Sequence, residues 1–264
     1  MPILESQVDR DGDDYKNNRE RMLAAIAEFR DAEASVQAMA EKARARFAKR
    51  KQLMPRERIA LLLDRGAPFL ELMPLAGYRM HDDKDGSSAG GGSVAGIGYV
   101  EGVRCVVTAS NSAIKGGTVA PSGQRKGQRV QQIVLENKLP VVNLVESGGA
   151  NLLYQAEIFV PGGRGFANQA RMSARGIPQL TVVHGSSTAG GAYLPGLSDY
   201  VVMVRNQAKV FLARPPFLEL MPLAGYRMHD DKDGSSAGGG SVAGIGYVEG
   251  VRCIVTASNR AIKG

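Results

Sequence analysis

Two stretches of the chain share one pattern: a proline, a short β-rich run and then a turn of small residues. The first stretch occupies residues 140–150 and the second occupies residues 178–193. Each run has the length of a buried strand, and each glycine pair falls where that strand would end and a helix could begin. Strands that alternate with helices indicate an α/β layered domain.

The same two turns indicate what kind of site the chain could build. Glycine lets the backbone pass close to a ligand, and the free N–H groups of a helix start favour a developing anion. The turns lie 42 residues apart, so neighbouring strands could aim two N–H donors at one carbonyl oxygen. Each glycine pair alone is typical of a plain tight turn, but together they favour an oxyanion hole built from backbone.

The chain also contains a repeat. Residues 68–116 recur as residues 216–264, and 47 of the 49 positions are identical. The two differing pairs are Val106/Ile254 and Ser112/Arg260. Solenoid repeats come in several divergent copies with periods of roughly 20–50 residues, so this repeat does not fit that architecture. We interpret the second copy as a recent duplication, a fusion or a chimeric gene end, with a true second module as the alternative.

The composition, 44% hydrophobic and 22% charged, is typical of a soluble globular protein. No apolar run approaches the ~18 residues of a membrane span, and the first residues lack a secretory signal, so we predict no membrane contact. Cys105 and Cys253 are repeat equivalents. The single independent cysteine indicates a reducing, cytoplasmic location. No Cys, His and carboxylate cluster has metal-ligand spacing, so we predict no metal site.

The net charge of +7 is concentrated in the basic run of residues 41–58. Such a run can be a solvated helix face, a nucleic-acid arm or a site for a polyanionic small molecule. The chain has no tryptophan, and Phe47 is the run's only aromatic residue. We therefore predict no nucleic-acid partner and keep a solvated face and a nucleotide-bearing cofactor as the two interpretations.

Apolar spacing predicts one amphipathic helix over residues 17–50 and a second helix that starts at Pro55. Residues 93–110 read as a tight β-hairpin around Glu101 and Gly102. The later elements are predicted as a helix at 122–137, a strand at 140–145, a helix at 164–176, a strand at 179–183, a helix at 189–197 and strands at 199–204 and 208–212.

Common nucleotide and nucleophile motifs do not match the chain. The glycines of residues 92–98 have neither dinucleotide-fingerprint nor P-loop spacing, and residues 185–190 do not form a nucleophile elbow. His184 at the end of an apolar strand is typical of a structural histidine. Glu146, directly before a glycine turn, is either a base or a carboxylate that caps the turn. What remains is enolate stabilisation by backbone, with the proton taken by a cofactor.

Four motifs together resemble one enzyme family. They are KGGT at 115–118, ESGGAN at 146–151, FANQARMSA at 166–174 and STAGGAYLP at 187–195, continuing to Asp199. The chain resembles the carboxyltransferase (β) subunit of acyl-CoA carboxylases from about residue 20 to Ala213. Its details are nearest the geranyl-CoA and methylcrotonyl-CoA carboxylases, and EIFVPGGRG at 157–165 favours the geranyl type.

The resemblance implies a crotonase-like (ClpP/crotonase) layered ββα domain that binds acyl-CoA, and a homo-oligomer. It implies transfer of CO₂ from carboxybiotin to a branched unsaturated acyl-CoA in leucine or terpene catabolism. Biotin, itself the implied base, would be held by a biotin carboxylase/biotin carrier partner, which alone uses ATP. The catalytic oxyanion-hole residues would be Gly149, Ala150, Gly190 and Gly191. Cofactor contacts would come from Lys115, Gly116, Ser147, Gly148, Ala189 and Tyr193, with the basic run near the CoA nucleotide.

The chain departs from the family after Ala213, where the family continues into a second crotonase-like half that holds biotin. We predict an N-terminal helical segment at 1–66, a crotonase-like domain at 67–213 and a duplicated β-hairpin segment at 214–264 without site residues. The second hairpin should be poorly packed or exchanged between chains, and the chain alone should not carboxylate acyl-CoA. The alternatives are a crotonase-type acyl-CoA hydratase or decarboxylase, and a non-catalytic CoA-binding fragment.

Overall fold

The computed structural model describes residues 6–211 and the strands β8 (Ser241–Val248) and β9 (Val251–Ser258). The chain divides into two compact units, residues 1–212 and 213–264. The predicted loose packing of residues 214–264 lies outside the described residues. Division of the first unit at residue 66 stays a prediction.

Three helices precede the sheet: α1 (Asp13–Glu41), α2 (Arg44–Lys49) and α3 (Pro55–Leu62). The predicted single helix over residues 17–50 is therefore wrong, because the chain turns at Lys42 and Ala43. Arg44 stabilises this turn through ion pairs with Glu41 and Glu57. The turn also places Phe47 in the core, where only 3% of it is exposed. The predicted helix start at Pro55 is confirmed.

The sheet of the first unit has seven strands in the spatial order β1 to β6, with β7 also paired to β5. The early strands are β1 (Leu70–Glu71), β2 (Ser93–Val100) and β3 (Val103–Ser110). The later ones are β4 (Val141–Ser147), β5 (Gln179–Thr188), β6 (Tyr200–Met203) and β7 (Lys209–Phe211). The predicted hairpin is β2–β3, and β3 to β6 run parallel to one another.

The sheet has one packed layer on each face, as alternating side chains require. Helices α4 (Pro121–Asn137) and α5 (Gln155–Ala174) belong to one layer, where Val106 packs with Val134 and Met172. On the other face, Val107 packs with Ile59 of α3. The glycines of β2 have a packing role here, because a side chain at Gly96 would collide with the ring of Phe69.

Two element boundaries differ from the sequence expectation. Helix α5 begins at Gln155 rather than 164, and it runs through Pro161. Strand β5 continues to Thr188 rather than 183, and residues 189–197 form a 3₁₀ turn and the short helix α6 (Tyr193–Gly196) instead of one helix. Among the described residues, no helix is both long and apolar enough to cross a bilayer.

Candidate active site

The two glycine turns follow β4 and β5, which are adjacent and parallel, so both turns lie at the same edge of the sheet. Ser147 is paired with Ser187 at this edge. A Cβ atom on Gly191 would lie only 2.7 Å from Oγ of Ser147, and one on Gly149 would lie 3.8 Å from the carbonyl oxygen of Thr188. The turns are therefore in direct contact, and the small residues make that contact possible.

The first turn holds one backbone donor without a partner. The N–H of Gly148 donates to the Gly117 carbonyl at 2.9 Å, and the N–H of Gly149 donates to Oγ of Ser147 at 3.1 Å. Gly149 has φ 87°, a left-handed conformation that favours glycine. Ala150 forms an isolated bridge with Val119, but its hydrogen bonds are made by the Gly149 carbonyl and the Asn151 N–H. Among the described residues, the N–H of Ala150 therefore has no acceptor. The N–H of Ala150 is therefore a candidate donor to a ligand.

The second turn is a 3₁₀ helix at Ala189–Ala192. The first N–H groups of a helix have no partner within it, which makes Ala189 and Gly190 candidate donors. The hydroxyl of Ser187 donates to the Gly191 carbonyl at 2.8 Å and fixes the turn on the end of β5. Convergence of the donors of both turns on one oxygen stays a prediction.

The KGGT loop lies against the first turn. A Cβ atom on Gly148 would be 3.1 Å from the Gly116 carbonyl oxygen, so Gly116 and Gly148 are neighbours. Lys115 forms an ion pair with Asp82, with one N–O distance of 2.6 Å. Tyr193 is 56% exposed, and its ring stacks at 4.7 Å on that of Phe166. The structure thus gathers the predicted site residues around the ends of β4 and β5.

A cavity of about 490 Å³ opens between α1, α2 and the loops around residues 87–94 and 111–115. Its basic lining residues are Lys42, Arg46, Arg56 and Lys115. Arg46 donates to the Ala113 carbonyl at 3.0 Å, and Arg56 pairs with Glu71 at 2.7 Å. Part of the basic run therefore faces a cavity rather than bulk solvent, and Lys115 belongs to both the cavity and the KGGT loop.

Lys126 of α4 is a buried cation that sequence reasoning missed. Only 2% of the residue is exposed, and its Nζ donates to the carbonyls of Gly90 and Ser93 at 3.0 and 2.7 Å. Burial lowers the pKa of Lys126 to about 8. Gly90 and Ser93 line the cavity, so Lys126 fixes part of the cavity wall to α4.

Arg58 of α3 is a second missed residue. Its Nη1 lies 3.3 Å from Nε2 of His184 on β5. Burial, aided by the Arg58 charge, lowers the pKa of His184 to about 4. Burial also lowers the pKa of Arg58, and the charge of Glu146 opposes that change. His184 is half-buried in the interior of β5, and its lowered pKa favours the neutral ring. Its structural role stays a prediction.

The carboxyl transferase domain family matches residues 47–234 of the chain. The probable mitochondrial methylcrotonoyl-CoA carboxylase beta chain of Drosophila melanogaster is 44% identical over 221 residues, which are 82% of this chain and 38% of that protein. The biotin-dependent 3-methylcrotonyl-coenzyme A carboxylase beta1 subunit of Mycobacterium tuberculosis is 50% identical over 182 residues, or 68% of this chain and 34% of that one.

Solved structures give the same result. The crystal structure of the Pseudomonas aeruginosa geranyl-CoA carboxylase beta subunit is 62% identical with a TM-score of 0.74, over 85% of this chain and 44% of that one. The transcarboxylase 12S structure, at 22% identity and a TM-score of 0.63 over 77% of this chain and 38% of that one, shares the fold. The chain thus spans less than half the length of these relatives.

Proposed function

Because the chain belongs to the carboxyl transferase domain family, we propose that it forms the acyl-CoA half of the carboxyltransfer site in a biotin-dependent acyl-CoA carboxylase. Its α/β domain has the crotonase-like fold of the family's carboxyltransferases. The observation that carries the proposal is the contact between the turns after β4 and β5, with the N–H of Ala150 free beside it among the described residues.

In the proposed reaction, the backbone stabilises the thioester enolate. The N–H groups of Ala150 in the first turn and Gly190 in the second are the proposed donors to the thioester oxygen, which becomes negatively charged when the substrate loses a proton. The N–H of Gly149 is bonded to Ser147, and that of Gly191 lies beyond the unpartnered start of its 3₁₀ turn, so neither takes the role expected from the sequence. Backbone donors already fixed by the fold need no reorganisation, and loss of one such donor costs about 10²–10³ in rate. Carboxybiotin on a partner subunit would supply the CO₂ and accept the proton.

We assign the CoA moiety to the basic cavity. CoA carries phosphate groups, and guanidinium and ammonium groups are the side chains that bind phosphates. Lys42, Arg46 and Lys115 all line the cavity. Since Lys115 precedes Gly116, which contacts Gly148, a bound CoA could extend its thioester from the cavity towards the two turns.

The finer parts of the function are carried over as proposals. Relatives are named for methylcrotonoyl-CoA and geranyl-CoA, so the proposed substrate is a branched unsaturated acyl-CoA. The proposed partner is a biotin carboxylase/biotin carrier subunit that alone consumes ATP, and the proposed assembly is a homo-oligomer. A cytoplasmic location is proposed from the composition, although several relatives are named as mitochondrial.

A hydratase or decarboxylase that acts independently is less well supported. Such an enzyme needs its own acid or base at the site, and Glu146 is the nearest candidate in the sequence. The structure packs the carboxyl group of Glu146 against Gly185, with one oxygen fully buried. This position favours a structural role for the carboxylate.

Binding of a chromophoric cinnamoyl-type CoA thioester tests the proposal. Polarisation of the carbonyl by two donors shifts the absorbance of the bound thioester to the red, which reports the oxyanion hole directly. We expect Gly191→Val to abolish this shift almost completely. A Cβ atom at residue 191 would collide with Ser147 and displace the second turn with its donors. CoA binding measured by calorimetry should remain.

Gly127→Val is the matched control, since a Cβ at that position would meet nothing within 4 Å. It should retain the red shift. A wild-type protein that binds the thioester without a red shift, or a Gly191→Val variant that keeps the shift, would overturn the proposed site.

A further inference from the structure

The pairing of β4 with β5 is irregular just before the two turns. Val145 is paired with Val183, and the next pair is Ser147 with Ser187. One residue of β4, Glu146, therefore lies opposite three residues of β5. Such bulges occur near active sites, where they redirect the strand that follows. The direction of the second turn thus depends on the side chains that fix the conformation of this bulge in β5.

Glu146 occupies the space opposite the bulge. A Cβ atom on Gly185 would lie 2.8 Å from Cγ and Cδ of Glu146, so the absence of a side chain at Gly185 makes room for the carboxylate. Oε2 of Glu146 is buried and has no hydrogen-bond partner among the described residues. A buried carboxylate oxygen needs compensation from a nearby charge or donor.

Arg58 provides a nearby positive charge from a different layer of the fold. Its guanidinium group is attracted to Glu146 and lies 3.3 Å from Nε2 of His184. Arginine only donates hydrogen bonds, so Nε2 of His184 accepts and the ring proton is on Nδ1. Arg58 also lies over the ring of Phe47 at 5.8 Å. Arg58 therefore contacts His184 in the bulged segment of β5 and attracts Glu146 in the facing segment of β4.

We propose that Arg58 is a positioning residue for the carbonyl-binding site: through its contact with His184 and its attraction to Glu146, it fixes the bulge in β5 and hence the spacing between the turns at residues 148–150 and 189–192. The inference rests on the proposed function, because it assigns these turns to the oxyanion hole. Arg58 itself touches no reacting atom in this scheme.

The test measures the red shift of bound chromophoric thioester in Arg58→Met and Glu146→Gln. We expect both variants to lose about half or more of the shift per bound ligand, while the Kd for CoA changes less than about threefold. A residue that only stabilised the fold would lower the melting temperature and leave the spectrum of bound ligand unchanged. Arg129→Met, at an exposed position of α4, is the control.

Two additions keep the outcome decisive. If Arg58→Met does not fold, Arg58→Lys retains the charge without the planar guanidinium and should show a partial loss of the shift. Amide hydrogen exchange of the two turns needs no ligand, and Arg58→Met or Arg58→Lys should accelerate it about tenfold relative to Arg129→Met. Unchanged exchange overturns the positioning role, whereas absence of a shift in wild-type protein overturns only the oxyanion assignment.

Discussion

The hairpin β2–β3 and its copy β8–β9 have the same backbone register. Ser93 pairs with Ser110 and Val100 with Val103 in the first, and Ser241 pairs with Ser258 and Val248 with Val251 in the second. Yet, among the residues that the structure describes, the first hairpin is part of a seven-stranded sheet, while β8 and β9 form a sheet of two strands. The pairing within a hairpin is thus encoded in its own residues, whereas membership of a larger sheet depends on distant segments.

Position 106 shows what the larger sheet adds. Val106 is fully buried, and its N–H donates to the Pro140 carbonyl at 2.9 Å as β3 pairs with β4. Its side chain packs with Val130, Val134 and Val141. The copy carries Ile254 at this position. Matched substitutions at positions 106 and 254 therefore compare the same local sequence in two settings.

The largest expected effect comes from a charge at this position. Val106→Asp should lower the free energy of unfolding by more than about 3 kcal/mol, because it buries an unpaired carboxylate. Ile254→Asp should change it by less than about 0.5 kcal/mol. Urea denaturation of the two variants measures the difference. Equal losses would show that the second hairpin has an equivalent buried place.

Low pH should destabilise the seven-stranded sheet, which contains the first hairpin, through protonation of His184 on β5. Its pKa is about 4 in the folded state, below the ordinary 6.5, so the unfolded chain binds more protons between these values. The stability linked to neutral His184 is therefore present above pH 6.5 and is lost as the pH falls towards 4. Arg58 on α3 is the charged group that acts on this histidine, and Glu146 on β4 in turn attracts Arg58.

We expect a loss of up to about 3 kcal/mol between pH 7 and pH 4 that His184→Gln removes. Urea denaturation at a series of pH values measures it. If wild-type protein and His184→Gln show the same slope across this range, the histidine is not responsible for acid sensitivity of the sheet.

Exchanging valine and isoleucine between positions 106 and 254 should change the free energy of unfolding by a smaller amount. Val106→Ile should lower the free energy of unfolding by about 1–2 kcal/mol, because it adds a methylene group to a fully packed position. Ile254→Val should be neutral. A neutral or stabilising Val106→Ile would mean that the core around Val134 has room, and that the copies are interchangeable at this position.

The smallest effect is expected from deletion of residues 214–264. The melting temperature of the remaining chain should be unchanged or slightly raised, because a hairpin without a neighbouring strand is marginal by itself. Strand edges without a partner promote association, so we expect light scattering on heating to decrease. A clear fall in melting temperature would show that the second copy stabilises the first unit.

Much of the fold was predictable because it depends on local patterns. The hairpin turn at Glu101 and Gly102, the helix start at Pro55 and the alternation after Pro140 were all found from neighbouring residues. The start of α5 was missed because Pro161 and the glycines after it are typical of a break. Proline lacks a backbone donor, but tertiary packing can maintain a helix despite poor propensity.

The candidate site shows the same limit. The glycine turns were recognisable because small residues follow apolar runs, and the structure places them together. The contact of Arg58 with His184 was not recognisable, since these residues lie 126 positions apart and no local pattern connects them. Lys126 was missed for a similar reason: its acceptors are carbonyl oxygens, which every residue type provides.

Between the pairs Val145/Val183 and Ser147/Ser187, β5 contains two more residues than β4. Because two is an even number, the bulge limits which insertions and deletions the strand can accept. Successive side chains of a strand point to opposite faces, so one additional residue would reverse every side chain beyond it. Two additional residues leave the alternation intact. Accordingly, Val183 before the bulge and Ser187 after it are both fully buried. Functional variants of this strand should therefore gain or lose residues here in pairs, since a change of one would expose Ser187 and turn the glycine loop away from its neighbour.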